Sequence, residues 1–250
     1  MVTGYYQSFE SFGLVDGPGV RSILFLTGCP FRCLFCHNPD TWILGKGMAI
    51  TPEEAFKKLY RYHTYWKDNG GVTISGGEPL VQMDFLIELC KLCKKNHVHV
   101  TIDTSGANFS LDPSYLAKFD ELLANIDLIM LDIKCIDSEI HKKLTGKDNK
   151  NVLDMFHYLD QKKFPIWIRH VLVPTITDDD LLLSRTYEFI KTLSNVQRVE
   201  VLPYHTLGIH KYQLLNIPYR LEGVLPPTKE RVENANRILH TDEFKGYLNK

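Results

Sequence analysis

The sequence predicts an α/β fold in which most strands are parallel. Short apolar runs, each of a length typical of a buried strand, alternate along the 250 residues with longer segments whose apolar residues recur at helical spacing. Prolines, glycines and acidic residues stand at the junctions, where they begin or end these elements. No low-complexity stretch or long linker interrupts the sequence, so we expect a single domain over residues 1–250.

The elements follow one another in a regular order. Residues 1–19 are polar, contain glycine and precede the first predicted strand. The Gly-Pro-Gly turn in which they end, at 15–19, presents Asp16 and is expected to be a plain connector, with part of a binding rim as the alternative. Thr51 and Pro52 are typical of a helix start, as N-cap and first helical residue. Strands are predicted at 20–27, 72–75, 98–103, 127–134, 165–173 and 196–202. Helices are predicted at 51–67, 82–95, 112–124, 138–144, 152–162, 178–193 and 226–240.

These six strand–helix units are fewer than a closed (β/α) barrel requires. We therefore expect a partial, open TIM-like barrel of about six βα units, with a doubly wound sheet as the alternative. Both architectures bind ligands at the carboxyl ends of the strands. The predicted strand ends carry polar or metal-binding groups: Cys29, Glu78, Asp103, Asp132 with Lys134, Arg169 with His170, and His205. This coincidence favours one shared site.

Composition excludes some classes of function. A net charge of −1 gives no general reason to expect nucleic acid or an anionic membrane as partner. The first residues lack a basic start followed by an apolar run, and no apolar stretch approaches the length of a membrane span. We therefore expect a cytoplasmic protein. Thiols stay reduced in that compartment, so clustered cysteines indicate metal ligands or catalytic groups rather than disulfides.

The loop at 28–38, between the first strand and the first helix, concentrates these thiols. It contains three of the six cysteines, Cys29, Cys33 and Cys36, within eight residues. Three thiolates would leave one iron of a 4Fe-4S cluster without a protein ligand, open to bind a small molecule. A zinc site that adds His37 is an alternative. A haem c attachment sequence also matches, but it would require an exported chain and would leave Cys29 unexplained.

The remaining cysteines indicate structure rather than chemistry. Cys90 and Cys93 lie three residues apart in a predicted helix and share a face with Leu86 and Leu89, so we expect them to be buried. Cys135 is expected to be another small buried residue.

Several strand-end residues have two interpretations from their type alone. The two glycines at 76–77 could form a simple strand-to-helix turn, or could let the backbone approach a ligand closely. Asp103 and Asp132 could be solvated, or could hold an amine or a cation between them. Lys134 could pair with a ligand carboxylate, and His205 could be an ordinary loop histidine.

Two motifs together carry a resemblance to a known family. Cys29-x3-Cys33-x2-Cys36, with the aromatic Phe35 before the last cysteine, is followed after a second strand by Gly-Gly-Glu-Pro at 76–79. The combination resembles the radical S-adenosylmethionine superfamily. Segments that resemble the activases of glycyl radical enzymes span nearly the whole chain: 8–11, 15–19, 36–38, 40–42, 131–134, 168–169 and 202–205. Many such activases carry an inserted cysteine-rich segment, but residues 39–51 are too few and contain no cysteine, which favours the branch that acts on pyruvate formate-lyase.

The resemblance implies a set of cofactors and residues that hold them. Three irons of a 4Fe-4S cluster would be ligated by Cys29, Cys33 and Cys36, and the amino and carboxylate groups of S-adenosylmethionine would chelate the fourth. The adenine would lie beside the backbone of Phe35, Cys36 and His37. The methionine amine would be bound by the backbone of Gly76 and Gly77, with Glu78 nearby. The carboxylate and ribose would be contacted by Asp132, Ile133, Lys134 and His205. A monovalent cation would be held by Asp103, Thr104, the Met130 carbonyl and Asp132.

The resemblance also implies a reaction and partners. A flavodoxin- or ferredoxin-type donor would reduce the cluster, which would cleave S-adenosylmethionine to a 5′-deoxyadenosyl radical. That radical would take hydrogen from a backbone glycine in the glycine loop of pyruvate formate-lyase, with Asp16 as a contact for the loop. The cofactors would carry the chemistry and no side chain would be catalytic; we expect the activase, an oxidoreductase, to be a monomer. The alternatives are an activase of another glycyl radical enzyme and, in a different class, a zinc-binding regulatory module.

Overall fold

The computed structural model describes residues 2–249. Its eight strands are β1 (Gly4–Gly13), β2 (Arg21–Leu26), β3 (Met48–Ile50), β4 (Gly71–Gly76), β5 (His99–Thr104), β6 (Leu128–Asp132), β7 (Ile166–Leu172) and β8 (Val196–Pro203). They form one sheet in the order β3-β1-β2-β4-β5-β6-β7-β8. The eight helices are α1 (Pro52–Tyr60), α2 (Met83–Lys95), α3 (Pro113–Leu123), α4 (Ser138–Thr145), α5 (Lys150–Gln161), α6 (Asp180–Ile190), α7 (Ile209–Leu214) and α8 (Lys229–Ile238).

The strand pairings confirm the predicted fold class. β2 pairs in parallel with β4, β4 with β5, and β7 with β8, whereas β1 is antiparallel to both β2 and β3. β3 and β8 are the two ends of the strand order, so the sheet is open within the described residues. The protein is therefore α/β with a mostly parallel, open sheet.

Two strands were missed by the sequence analysis. The strand predicted at 20–27 is not the first, because residues 4–13 form β1, and β3 lies in the segment that precedes the first helix. Three of the ten residues of β1 are buried and three are exposed, and polar residues at 7–8 and 10–11 interrupt its aromatic ones, so its sequence lacks the apolar run of a buried strand. Its hydrogen-bonded neighbours β2 and β3 hold it in place, and such pairing is invisible in the sequence alone.

Helix boundaries follow the expected caps at some ends and not at others. Thr51 caps α1 as predicted, and its hydroxyl and the Glu54 carboxylate form a reciprocal capping box. α1 ends at Tyr60 rather than near residue 67. The chain turns there, and the indole of Trp66 is buried and donates to the Ser22 hydroxyl at 3.0 Å. α7 lies between the predicted strand at 196–202 and the predicted helix at 226–240, where the sequence analysis placed no helix.

The chain divides into two compact units, one comprising residues up to Pro30 with Thr41–Met130 and the other Phe31–Asp40 with Leu131–Asn249. In the first unit the core includes Leu24, Ile74 and Leu86, all without exposed surface. In the second unit it includes Phe156 and Ile168. That residues 1–250 form a single domain stays a prediction. Among residues 2–249, no helix has the length and apolar run that a membrane span requires.

Candidate active site

In the first unit, the backbone around Cys29 is held by its neighbours. The amide of Gly28 donates to the Thr41 carbonyl at 2.7 Å, and the amide of Cys29 donates to the Trp42 carbonyl at 3.1 Å. These hydrogen bonds fix the backbone of Cys29, three residues beyond the end of β2. Its side chain is partly exposed. The loop after β4 lies against the same backbone, because the amide of Glu78 donates to the Gly28 carbonyl at 2.7 Å.

The two glycines at 76–77 are required by close packing. Gly76 has φ of +115°, and a Cβ at this residue would lie 2.3 Å from the amide nitrogen of Leu26. A Cβ at Gly77 would lie 2.4 Å from the carbonyl oxygen of Gly28. No side chain fits at either position, so the loop after β4 can lie directly against the end of β2 and the residues that precede Cys29.

Glu78 links this loop to the loop that follows β5. Its carboxylate has no exposed surface, and it accepts hydrogen bonds from the Leu80 amide at 3.1 Å and the Thr104 hydroxyl at 2.6 Å. Its second oxygen accepts from the amide and the hydroxyl of Ser105, at 2.9 Å and 2.5 Å. Burial raises the pKa of the Glu78 carboxyl. The sequence analysis missed this role, because only the fold brings Ser105 to Glu78.

The residues predicted to hold a cation have protein partners of their own. Asp103 accepts a hydrogen bond from the Ser75 hydroxyl at 2.7 Å, and the hydroxyl of Thr104 is the one bound to Glu78. Met130 is fully buried in β6. These residues belong to the first unit and Asp132 to the second, and the cation site stays a prediction.

Asp16 lies beside the middle of β4, because its carbonyl accepts from Thr73, and Thr73 pairs with Ile23 in the middle of β2. The Thr73 hydroxyl donates to the Asp16 carbonyl at 2.6 Å, and the buried Arg21 donates to the Pro18 carbonyl at 3.2 Å. Arg21 pairs with Gly71 at the amino ends of β2 and β4, whereas Leu26 pairs with Gly76 at the carboxyl ends. The predicted contact of Asp16 with a partner peptide stays a prediction.

In the second unit, Cys33 and Cys36 lie in a turn with fixed backbone geometry. The Cys36 amide donates to the Cys33 carbonyl at 3.1 Å, and the Leu34 amide donates to the Leu144 carbonyl at the end of α4 at 2.9 Å. Both cysteines are partly exposed. Phe35, between them, is buried and packs in an apolar cluster with Leu144, Val173, Tyr204 and Leu221. The aromatic residue therefore anchors this turn.

Two further groups of predicted residues meet in the second unit. Asp132 and Lys134 form an ion pair at 2.5 Å, their side chains 15% and 10% exposed, and the Lys134 ammonium lies 5.3 Å from the centre of the Phe35 ring. His37 stacks on His205, with ring centres 3.9 Å apart, and a ring nitrogen of His37 lies 3.2 Å from the His205 carbonyl oxygen. Burial lowers the pKa of His37, and the charges of His205 and Lys134 lower it further.

Ile133 owes its position to the strand beside it. Its amide donates to the Arg169 carbonyl at 2.9 Å, and Nδ1 of the buried His170 lies 2.8 Å from its carbonyl oxygen. The backbone between Asp132 and Lys134 is thus held on both sides.

The chemistry of these residues fits the cofactors that the sequence analysis inferred. Thiolates are the ligands of iron–sulfur clusters, and the three thiols of the loop are partly exposed, whereas Cys90, Cys93 and Cys135 are buried as predicted. Burial raises the pKa of the Cys93 thiol to about 12, which makes it a poor ligand. Nδ1 of His205 is buried and has no hydrogen-bond partner within residues 2–249, as expected for an atom that a ligand would satisfy. Within residues 2–249, no group of three or more His, Cys, Asp or Glu side chains lies close enough together to hold a metal ion.

Comparisons with known proteins define the class. Residues 23–186 match the family described as the Radical SAM superfamily. The chain is 51% identical over 245 residues to a pyruvate formate-lyase-activating enzyme of Listeria monocytogenes, covering 98% of this chain and 99% of that protein. It is 50% identical over 248 residues to the enzyme of the same name from Streptococcus mutans, covering 98% and 94% of the two chains.

A solved structure agrees with these relatives. The crystal structure of a domain of pyruvate-formate lyase-activating enzyme from Bacteroides vulgatus matches with a TM-score of 0.57 at 26% identity, covering 70% of this chain and 96% of that one. The chain therefore belongs to the radical SAM superfamily and, within it, to the family of pyruvate formate-lyase-activating enzymes.

Proposed function

We propose that this protein activates pyruvate formate-lyase by generating a radical on a backbone glycine of that enzyme. The relatives of this name match nearly the whole chain at about half identity, which supports the choice of partner. The observation that carries the chemistry is the separation of the six cysteines into three partly exposed thiols in one loop and three buried ones. Thiols of the first kind can ligate a cluster, and thiols of the second kind cannot compete with them.

The cluster is held by Cys29, Cys33 and Cys36, which leaves one iron open to the amino and carboxylate groups of S-adenosylmethionine. The hydrogen bonds of Gly28 and Cys29, and the turn from Cys33 to Cys36, fix the backbone on which these thiolates stand. When bound, the reduced cluster would supply one electron that cleaves the sulfonium of S-adenosylmethionine to methionine and a 5′-deoxyadenosyl radical, and this radical would take a hydrogen atom from the glycine of the partner to give 5′-deoxyadenosine. A flavodoxin- or ferredoxin-type protein provides the electron.

The chain's own residues bind and orient S-adenosylmethionine. Its adenine lies beside the backbone of Phe35, Cys36 and His37, and its amine binds the backbone of Gly76 and Gly77. Its carboxylate and ribose contact Asp132, Ile133, Lys134 and His205. Four hydrogen bonds already occupy the carboxylate of Glu78, so this residue contributes by fixing the loop after β4 that contains Gly76 and Gly77.

The partner and the smaller ligands complete the proposal. Asp16 contacts the glycine loop of pyruvate formate-lyase, and a monovalent cation is held by Asp103, Thr104, the Met130 carbonyl and Asp132. The protein acts as a cytoplasmic monomer. A primary carbon radical attacks any nearby C–H bond, so productive cleavage is coupled to docking of the glycine loop; equally fast cleavage without the partner would contradict this coupling.

The test uses the full chain, purified without oxygen and supplied with iron and sulfide. We expect a brown protein whose reduced cluster gives an EPR signal that changes when S-adenosylmethionine is added. Cys33→Ala abolishes cluster assembly and glycyl radical formation on pyruvate formate-lyase, whereas Cys135→Ala, at a buried thiol, retains the cluster in the folded fraction.

Other outcomes would identify the alternatives. A colourless protein that binds zinc would favour the regulatory module. A protein with a normal cluster signal that activates a different glycyl radical enzyme and does not activate pyruvate formate-lyase would be an activase of that other enzyme. A Cys33→Ala variant with a full, active cluster would refute the assignment of three thiolates.

A further inference from the structure

The segment that follows β8, residues 204–214, contacts the residues that follow the third cysteine. The ring of His205 stacks on that of His37 at 3.9 Å. A Cβ at Gly208 would lie 2.9 Å from the Cα of His37, so the two backbones approach closely at this point. These contacts lie within the second unit and join parts of the chain that are 168 residues apart. The segment therefore covers one side of His37.

Lys211, on α7, extends this contact to the next residues of the loop. Its ammonium donates to Oδ1 of Asn38 at 2.8 Å and to the two carboxylate oxygens of Asp40 at 3.2 Å and 3.1 Å. An ammonium has three N–H donors, so these acceptors match its full capacity. The side chains of Lys211 and Asp40 are 29% and 21% exposed, so the ion pair is partly shielded from water.

The side chains that Lys211 holds belong to residues close to Cys36. Asn38 and Asp40 lie two and four residues beyond Cys36, and the Cys33–Cys36 turn is already anchored on its other side by the Leu34 amide, which donates to the end of α4 at 2.9 Å. The segment from Cys36 to Asp40 thus begins in a fixed turn and is followed by Thr41, whose carbonyl accepts the Gly28 amide, and between these points Lys211 holds the side chains of Asn38 and Asp40. Without the ammonium, the Asp40 carboxylate would be left partly buried without the cation, which favours movement of the loop towards water.

We propose that Lys211 is a positioning residue: by holding Asn38 and Asp40, it fixes the backbone from Cys36 to Asp40 and thereby the orientation in which Cys36 and His37 meet the cluster and S-adenosylmethionine. The proposal rests on the proposed function. Lys211 itself touches neither cofactor and takes no part in the chemistry. Its effect is on the geometry of the third ligand and of the adenine site.

The experiment compares Lys211→Met, which keeps the apolar stem and removes the ammonium, with the conservative Lys211→Arg. Lys191→Met is the matched control, because Lys191, directly after the last residue of α6, also forms an ion pair, with Glu188 at 3.1 Å. The first readout is hydrogen exchange of the backbone amides within residues 36–40, of which Pro39 has none, in the protein before cluster assembly. The second is the EPR signal of the reduced cluster with and without S-adenosylmethionine, together with KM and kcat. If Lys211→Met does not fold, Lys211→Gln replaces it.

We expect exchange at 36–40 to be faster in Lys211→Met by about tenfold or more, since a charge-assisted contact is lost. KM for S-adenosylmethionine rises by about tenfold while kcat falls much less, and the EPR change on its addition is altered. Lys211→Arg stays close to the parent protein, and Lys191→Met is unchanged in every readout.

Two results would overturn the proposal, and they differ from a failure of the proposed function. Parent-like exchange and EPR response in Lys211→Met would show that the lysine does not fix the loop. The same losses in Lys191→Met would show a general effect of stability. If the parent protein itself assembled no cluster, the proposed function would fail, and the role of Lys211 towards the cofactors would fall with it, whatever the exchange data showed.

Discussion

Gly77→Ala tests whether the loop after β4 needs a residue without a side chain. The added Cβ would lie 2.4 Å from the carbonyl oxygen of Gly28 and 3.1 Å from that of Thr41. Carbon and carbonyl oxygen normally approach no closer than about 3.3 Å, so the Gly28 carbonyl must shift by about 1 Å. Both neighbours are backbone atoms, which cannot rotate away as a side chain could.

The shift has a cost that follows from the contacts of Gly28. Its carbonyl accepts the Glu78 amide at 2.7 Å, and the displacement breaks this hydrogen bond. Overpacking costs about 1–3 kcal/mol, and an unsatisfied buried backbone group costs about 1–3 kcal/mol. Gly77→Ala should therefore lower the free energy of unfolding by about 2–6 kcal/mol. Because Gly28 precedes Cys29, it should also reduce the iron retained after anaerobic reconstitution.

Gly45→Ala provides the control, because Gly45 has φ of +83° but a Cβ there would meet nothing within 4 Å. This variant carries only the strain of a left-handed backbone, about 1–2 kcal/mol, and should retain the parent's iron content. Urea unfolding of the cluster-free protein, followed by circular dichroism, measures both variants. If Gly77→Ala were no more destabilising than Gly45→Ala, the close approach would not be what requires glycine at 77.

Two further predictions concern buried charged or titratable residues. Burial lowers the pKa of Arg21 to about 9, so it is still a cation at neutral pH, and it donates to the hydroxyls of Thr73 and Thr101 and to backbone carbonyls. Arg21→Met should lower the free energy of unfolding by about 3–5 kcal/mol, because these acceptors lose their donor; a loss below about 1 kcal/mol in urea unfolding would contradict this. Burial lowers the pKa of His141 below 6.5, so the unfolded chain takes up the proton first and stability falls as the pH drops below 6.5. The decrease in melting temperature between about pH 7.5 and about pH 5.5 should be smaller in His141→Gln, and an unchanged decrease would exclude His141 as a contributor.

The sequence was most informative where one residue type has one physical use. Thr51 and Pro52 marked the start of α1, and the helical spacing of Cys90 and Cys93 predicted their burial. The two glycines at 76–77 were expected to form a strand-to-helix turn or to approach a ligand; Gly77 packs against the backbone of Gly28, as a tight turn requires, and the approach to a ligand stays a prediction. In each case the signal is local, so no knowledge of the fold was needed.

The contacts that hold the candidate site together depend on the fold. Lys211 reaches Asn38 across 173 residues, and Glu78 reaches Ser105 across 27. Nothing in the residues next to Lys211 distinguishes it from an ordinary surface lysine. β1 was missed for a related reason, since polar residues interrupt its aromatic ones and it is held as a strand by pairing with β2 and β3.

The burial of half of the thiols has a consequence for how the protein is loaded with metal. Cys90 and Cys93 have no exposed surface, and Cys135 is 3% exposed, so free ferrous ions and sulfide cannot reach them while the chain stays folded. Iron and sulfide can therefore bind to cysteine only in the loop at 28–38. No cysteine outside that loop is accessible in the folded protein, so a second iron–sulfur cluster cannot form on the remaining thiols.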